Sequence, residues 1–575
     1  MTSRGELLIA GTAASAGVAV GPAVVVDTVR SAAAGDAVPP LDDSEPIAAL
    51  RAAIADAARQ LRSLRDAARA AERTEAADVL EAQALMAEDP MLVDAATAAL
   101  RNGASLGAAL VSAAEEISGL LASIDDPYIA ARSADVVEVA DRVRQRLAGL
   151  DSPDLGSIET PSVLVATALT AADTAVLDPE KVLGIVTEAG GPTSHVAIIA
   201  RSLGVAAVVA ANGVVAGVRT GDTAAIDGAT GEVAIRPRPA TVADFAARRA
   251  AAEAAVVAAE QFRGVSIALD GRPIQVPANV GSRDDLERAV AVGAEGVGLL
   301  RTEFLFLDRA EPPSEDEQAD FYSFAASAFS EPVVIRTFDI GGDKPAPYLD
   351  VATEDNPFLG VRGARLYRRH PETFAAQVRA ILRAAAAGEV HLMLPMVSTV
   401  EEIAALRRII EGQARQLDAQ GKPHALPPVG VMVEVPSVAL TADRFANCVD
   451  FFSIGTNDLT QYAMAADRTH ALLDGLQDPL HPAVLALCAL TVASAQRHGI
   501  GVSVCGLAAA DPLGAAVLAA MGVGKLSVDA RQVNAIKSVI ASMDAAATSG
   551  MVDAALQAAT AADVRRIVGA ALGCT

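Results

Sequence analysis

The chain has 575 residues, of which 52% are hydrophobic and 3% aromatic, and its formal net charge is −25. That length holds several domains with sizeable cores, and that charge argues against a nucleic-acid partner, because phosphate binding is driven by Lys and Arg. No apolar run reaches the roughly 20 residues of a membrane span, so no membrane is expected as a partner either. The start, Met1-Thr2-Ser3-Arg4-Gly5-Glu6, lacks the layout of a secretory signal. Cys448, Cys488, Cys505 and Cys574 show no paired metal spacing. A cytoplasmic protein with reduced thiols is therefore expected.

Residues 7–28 alternate short apolar runs with Gly11, Gly17 and Gly21-Pro22 and read as β-structure. From Glu45 onwards the texture becomes helical. Leu50-Ala53-Ile54-Ala57-Leu61 and Val136-Val139-Val143-Leu147 each have the spacing of one helix face. Pro90, Gly103 and Pro127 punctuate the stretch, which predicts a bundle of about four helices over 45–150. Residues 151–235 return to α/β texture, and the segment 1–44 is expected to pair with them. The helical block then becomes an insertion into one α/β domain.

Within 151–235, an apolar strand, Val182 to Val186, runs into Gly190-Gly191-Pro192-Thr193-Ser194-His195. Two hydroxyl residues follow the flexible turn where a helix would start, which places His195 at or near a helix N-terminus. Backbone N–H groups and the helix dipole favour an anion there. An imidazole beside an anion site can accept and hold a phosphoryl group. A histidine after such a turn can equally be a cap, so the rest of the chain has to decide.

Ile235-Arg236-Pro237-Arg238-Pro239 reads as a linker, with a helix from Val242 to Gln261, so 236–264 is taken as linker and helix. Over 265–575 strand and helix patterns alternate. Eight strands are predicted: Ile274–Ala278, Gly296–Leu300, Val333–Thr337, Val390–Leu394, Val429–Val433, Phe451–Ile454, Gly501–Val504 and Lys525–Val528. Eight such units argue for a (β/α)8 barrel of the TIM type. The predicted fold class is thus α/β multidomain.

Chemistry in such barrels sits at the C-terminal ends of the strands. Arg301-Thr302-Glu303, Arg336, Glu434, Asn457-Asp458 and Cys505 all fall there, with Arg468 shortly after and Arg362 in the third loop. Converging arginines clamp phosphate and carboxylate groups. Glu434 and Asp458 are hard oxygen donors suited to Mg²⁺, and Cys505 is a thiol able to handle a proton.

Five strings carry a resemblance: Gly-Gly-Pro-Thr-Ser-His at 190–195, Glu-Gly-Val-Gly-Leu-Leu-Arg-Thr-Glu-Phe-Leu-Phe at 295–306, Asp-Ile-Gly-Gly-Asp-Lys at 339–344, Asn-Pro-Phe-Leu-Gly at 356–360 and Asp-Phe-Phe-Ser-Ile-Gly-Thr-Asn-Asp-Leu-Thr-Gln-Tyr at 450–462. Tyr128, Arg132 and Ala134-Asp135-Val136 match as well. Together they resemble enzyme I of the bacterial sugar phosphotransferase system, the phosphoenolpyruvate–protein phosphotransferase family, over nearly the whole chain. The resemblance implies a swivelling phosphohistidine domain with His195 as carrier. It implies that Arg301, Arg336, Asn457 and Arg468 bind phosphoenolpyruvate, with Arg362 near the phosphate. Glu434 and Asp458 would hold Mg²⁺, and Cys505 would protonate the enolate to pyruvate. The helical insert would dock the carrier protein HPr, and the barrel would form a homodimer. Three positions depart from the family pattern: Pro192 replaces a common Arg, Ala171-Ala172 follow Thr170 where Pro-Ser is usual, and Leu507 stands where a glutamate is usual. Only Thr170 is carried over there, as a partner for the imidazole.

Two rival readings share parts of this pattern. Dikinase-type enzymes combine a similar histidine domain and barrel with an ATP-binding domain, and no Gly-rich nucleotide loop is visible ahead of residue 151. A non-catalytic regulatory paralogue would not need His195, Arg301, Glu434, Asp458 and Cys505 together.

Overall fold

The computed structural model describes residues 5–573 except 27–44, 71–73, 123–132, 149–154, 156–157, 171–172, 175–176, 192–193, 308, 342–345, 347, 350–353, 469, 545–547 and 549. Tyr128, Arg132, Ala171, Ala172, Pro192, Asp343, Lys344 and Cys574 lie outside the described residues, and His195 is described by its backbone alone. The chain forms two compact units, Met1–Ala254 and Ala255–Thr575.

The first unit is built on one sheet. Its strands are β1 (Leu7–Ala10), β2 (Thr12–Ser15), β3 (Val18–Val26), β4 (Ser162–Ala166), β5 (Val182–Thr187), β6 (Ala206–Val209), β7 (Thr223–Asp227) and β8 (Glu232–Ile235). Their order is β1-β8-β7-β3-β4-β5-β6-β2. The middle of the sheet, β3 to β6, is parallel. All of β4, Ser-Val-Leu-Val-Ala, is buried, as expected for a strand covered on both faces. Strands from before the helical block therefore interleave with strands from after it. Gly228 is required where two segments touch: a Cβ there would meet the Ser15 carbonyl oxygen at 1.9 Å.

Between β3 and β4 the described residues form five helices: α1 (Glu45–Ala70), α2 (Thr74–Ala87), α3 (Pro90–Arg101), α4 (Leu106–Ala122) and α5 (Ser133–Leu147). The expected count was about four. Three of the breaks fall at the expected punctuation, the first at Asp89-Pro90, where the Asp89 side chain accepts from the Met91 N–H and Pro90 takes the first helical position; the additional one falls between Ala70 and Thr74. The predicted face holds: Leu50, Ala53, Ile54, Ala57 and Leu61 are all buried.

The segment expected as a linker is tied to this first unit. Arg236 Nη1 bonds Gly217 O at 2.7 Å and Asp222 Oδ2 at 2.8 Å, and Arg238 pairs with Glu6 at 3.1 Å. Helix α6 (Pro239–Glu260) follows, and the boundary between the two units falls inside it, after Ala254.

In the second unit eight parallel strands close a barrel: β11 (Ala278–Val280), β12 (Val297–Arg301), β13 (Val333–Arg336), β14 (Val390–Leu394), β15 (Val429–Val433), β16 (Phe451–Gly455), β17 (Gly501–Cys505) and β18 (Lys525–Asp529). One predicted strand is displaced. Ile274 belongs to a separate ribbon of β9 (Ile267–Leu269) and β10 (Arg272–Ile274), and the barrel strand begins only at Ala278. The physical reason is Pro277, which has no N–H to give to a ladder and separates the two strands. No helix among the described residues is long and apolar enough to cross a membrane.

Candidate active site

The His195 turn is built locally. Gly190 sits at φ 102, in the region that favours glycine. The Ser194 N–H donates to Gly191 O at 2.9 Å. Ser194 is then the N-cap, its Oγ accepting from the Ala197 N–H at 3.4 Å, and His195 is the first residue of the helix that ends at Leu203. That helix lays Val196, Ala197 and Ala200 against Leu164, Ile185 and Val209 of the sheet. His195 is thus carried by the first turn of a packed helix, at the positive end of its dipole.

Thr170 has partners of its own. Its Oγ accepts from the Asp173 N–H at 3.1 Å, and its N–H donates to Asp173 Oδ2 at 3.0 Å. Burial pushes the Glu138 carboxyl up to about 7, against the opposing pull of Thr170 and Arg142.

In the second unit the strand ends bring most of the predicted side chains together. Arg301 and Arg336 occupy paired positions on neighbouring parallel strands. Arg301 is exposed, whereas Arg336 is buried. Arg336 Nη2 donates to Glu303 Oε1 at 2.9 Å, and Nη1 lies 3.8 Å from Asp339 Oδ2 and 3.7 Å from Met432 Sδ. Its buried Nε–H has no hydrogen-bond partner. An orphaned donor on a buried guanidinium is costly, and an anionic ligand would satisfy it.

Arg362 is almost entirely buried and fully engaged. Its Nε and Nη2 fork onto Asp339 at 3.1 and 2.7 Å, and Nη1 reaches Asp458 Oδ1 at 3.3 Å. Arg468 Nη1 approaches the other oxygen of Asp458 at 3.5 Å. Both guanidiniums stack on the Phe358 ring, 5.8 and 5.0 Å from its centroid. Asn457 Oδ1 accepts the Leu507 N–H at 2.9 Å, which leaves its NH2 end to donate. Leu507 thus serves the site through its backbone, while its side chain is exposed.

Glu434 is 1% exposed, and its Oε1 accepts from the Met396 N–H at 2.6 Å. Burial, then repulsion from Asp458 and Asp339, pushes its carboxyl up to about 8. Among the described residues no group of three His, Cys, Asp or Glu side chains is arranged to hold a metal ion. A pair suffices for a divalent cation that completes its shell with water and substrate oxygens. A cation between Glu434 and Asp458 would offset both the burial and the repulsion that raise the Glu434 carboxyl, so these residues fit one.

Cys505 closes the site at the end of β17, with Leu299, Val334, Met393 and Met432 around it. Burial pushes its thiol up, against the opposing pull of Ser453 and Arg336. The thiol therefore keeps its proton at neutral pH.

Sequence reasoning places Glu303 and Asp339 near strand ends but assigns neither a role. Both lie in the strings 295–306 and 339–344, but what they hold depends on pairings across the barrel. A buried arginine left without its carboxylate is strongly destabilising. Glu303→Leu is expected to cost about 3 kcal/mol, read as lost hydrogen-exchange protection across the barrel strands. Unchanged protection would show that Asp339 alone compensates Arg336.

The sequence matches three family models. They are the PEP-binding domain of PEP-utilising enzymes over 258–545, the N-terminal domain over 10–132 and the mobile domain over 158–231. It is 42% identical to the phosphoenolpyruvate-protein phosphotransferase of Haloferax volcanii, covering 87% of this chain and 88% of that one. It is 37% identical to the protein of the same name from Haemophilus influenzae, covering 98% of both. It is also 39% identical to the multiphosphoryl transfer protein of Xanthomonas campestris pv. campestris, covering 97% of this chain but 66% of that longer one. On domain content and on identity over nearly its full length, the chain belongs to the phosphoenolpyruvate-protein phosphotransferases, a family of PEP-utilising enzymes.

Proposed function

We propose that the chain takes the phosphoryl group of phosphoenolpyruvate onto His195, releases pyruvate, and passes the group to a histidine of the phosphocarrier HPr. The observation that carries this reading is the barrel mouth. There buried Arg336 keeps an orphaned N–H, and its charge and that of Asp458 both act on the buried Glu434 carboxyl.

Arg301, Arg336 and Arg468, with the NH2 end of Asn457, bind the phosphate and carboxylate of the substrate. Guanidinium forks match both groups. Arg362 acts one step back, because its donors are taken up by Asp339 and Asp458, and so fixes Asp458 and the edge of the phosphate site. Glu434 and Asp458 hold Mg²⁺, which when bound neutralises charge on the phosphoryl oxygens. The Cys505 thiol gives its proton to the methylene carbon of the enolate. His195 and the arginine cluster belong to different compact units, so the His195 unit has to come to the barrel mouth once per cycle. The helical block 45–150 is the surface proposed for HPr. The barrel is proposed to pair two chains as a homodimer, in the cytoplasm.

A dikinase-like enzyme would also use the barrel and histidine, but the relatives that match over nearly the whole chain carry the protein-phosphotransferase name. Pyruvate counting tests the relay. With phosphoenolpyruvate and Mg²⁺ alone, each chain should release one pyruvate. Added HPr should then raise the yield by one further pyruvate per HPr. A yield that ignores HPr, or that requires ATP or AMP, would contradict the reading.

A further inference from the structure

Ser453 is fully buried in the middle of β16. Its Oγ lies 3.8 Å from Cys505 Sγ, and that thiol is its only hydrogen-bond partner among the described residues. Among the described residues the sulfur has one other hydrogen-bond partner, the Ile454 carbonyl oxygen at 3.6 Å. Leu299, Val334, Met393 and Met432 pack around it, and the charges of Arg336, Glu434 and Arg301 are near enough to act on it. A buried hydroxyl whose sole partner is a thiol is unusual, because a serine there could turn to a backbone carbonyl of its own strand. A thiolate formed in this cage would be costly without a donor. The Ile454 carbonyl can only accept, so of the sulfur's two hydrogen-bond partners among the described residues Ser453 is the one that can donate.

We propose that Ser453 is a positioning residue for proton delivery, whose hydroxyl holds the Cys505 sulfur toward the substrate carbon and donates to the sulfur once its proton has left. This rests on the reading of Cys505 as the proton donor. In the step, the S–H bond breaks and its proton forms a C–H bond at the enolate methylene carbon. The electron pair stays on sulfur as thiolate, which the Ser453 O–H stabilises. A solvent proton restores the thiol after pyruvate leaves. In reverse, the same thiolate takes a proton from the methyl group of bound pyruvate.

Deuterium exchange into that methyl group, followed by NMR in heavy water with Mg²⁺, tests this in the full chain. Ser453→Ala is expected to slow exchange about tenfold, the scale of one hydrogen bond to a charged group. The KM for phosphoenolpyruvate in phosphoryl labelling should stay unchanged, and Ser453→Thr, which keeps the hydroxyl, should recover most of the rate. Cys505→Ala separates the two layers. If it exchanges like the wild type, the reading of Cys505 fails, and the Ser453 proposal with it. If Cys505→Ala loses exchange while Ser453→Ala keeps it, the Ser453 proposal alone is overturned. A Ser453→Ala protein that loses substrate affinity and exchange in the same proportion also overturns it, since that is the signature of general damage. Should Ser453→Ala fail to fold, Ser453→Thr decides: a folded Thr variant with lost exchange counts against the proposal.

Discussion

His195→Ala should take up no phosphoryl group from phosphoenolpyruvate, while wild type takes up one per chain. The backbone of the turn is set by its neighbours. The helix start is fixed by Gly190 and by the Ser194 cap, and alanine is the best helix former. The variant should therefore keep its far-ultraviolet spectrum and its helical block while losing labelling to background. Wild-type label should be stable in base and released by acid, as a phosphoramidate is. Full labelling of the alanine variant would move the acceptor elsewhere.

The second large effect is expected at the carboxylate pair. Glu434→Gln and Asp458→Asn should each lower the rate of pyruvate formation about a thousandfold, the equivalent of roughly 4 kcal/mol of lost transition-state stabilisation. Glu434→Gln carries its own control. In the folded chain the Glu434 carboxyl is pushed up to about 8, mainly by burial. A carboxyl raised in this way binds a proton in the native state that the unfolded state has already lost. In chelator, the wild type should accordingly lose stability as pH rises through neutrality toward 8. The neutral, similarly shaped Gln removes that loss, so the variant should be as stable as wild type at low pH and more stable at pH 8. Reduced activity with this stability profile separates a ligand role from damage to the core. A chelator that left pyruvate formation unchanged would remove the metal from the account.

The parts of this molecule that were legible in advance are those set by neighbours in sequence. The His195 turn was readable because a glycine, a capping serine and an apolar helix face follow one another. The barrel was readable because each strand is a short apolar run with polar residues just past its end. The first strand was misplaced because Ile274 and Val276 look like a strand continuing into Ala278, whereas Pro277 divides them. The helix breaks at Pro90 and Gly103 were marked by those residues, whereas the additional break between Ala70 and Thr74 carries neither Pro nor Gly. What stayed hidden depends on distant residues meeting. Arg362 and Asp458 lie 96 positions apart, and so do Arg336 and Met432. Glu303 could be placed at a strand end, but not its grip on Arg336 and on the Asp339 N–H at 2.9 and 2.8 Å. Ser453 reads as one small residue in a strand until the barrel closes and sets it beside Cys505.

The most direct test of the central claim is a rapid-quench time course with phosphorus-labelled phosphoenolpyruvate, Mg²⁺ and wild-type chain, with HPr added after the first plateau. The account predicts label first on a single peptide containing His195, at one group per chain, and then its quantitative transfer to HPr as the His195 peptide empties. Label that reached HPr without ever appearing on His195, or that stayed on His195 after HPr was added, would contradict it.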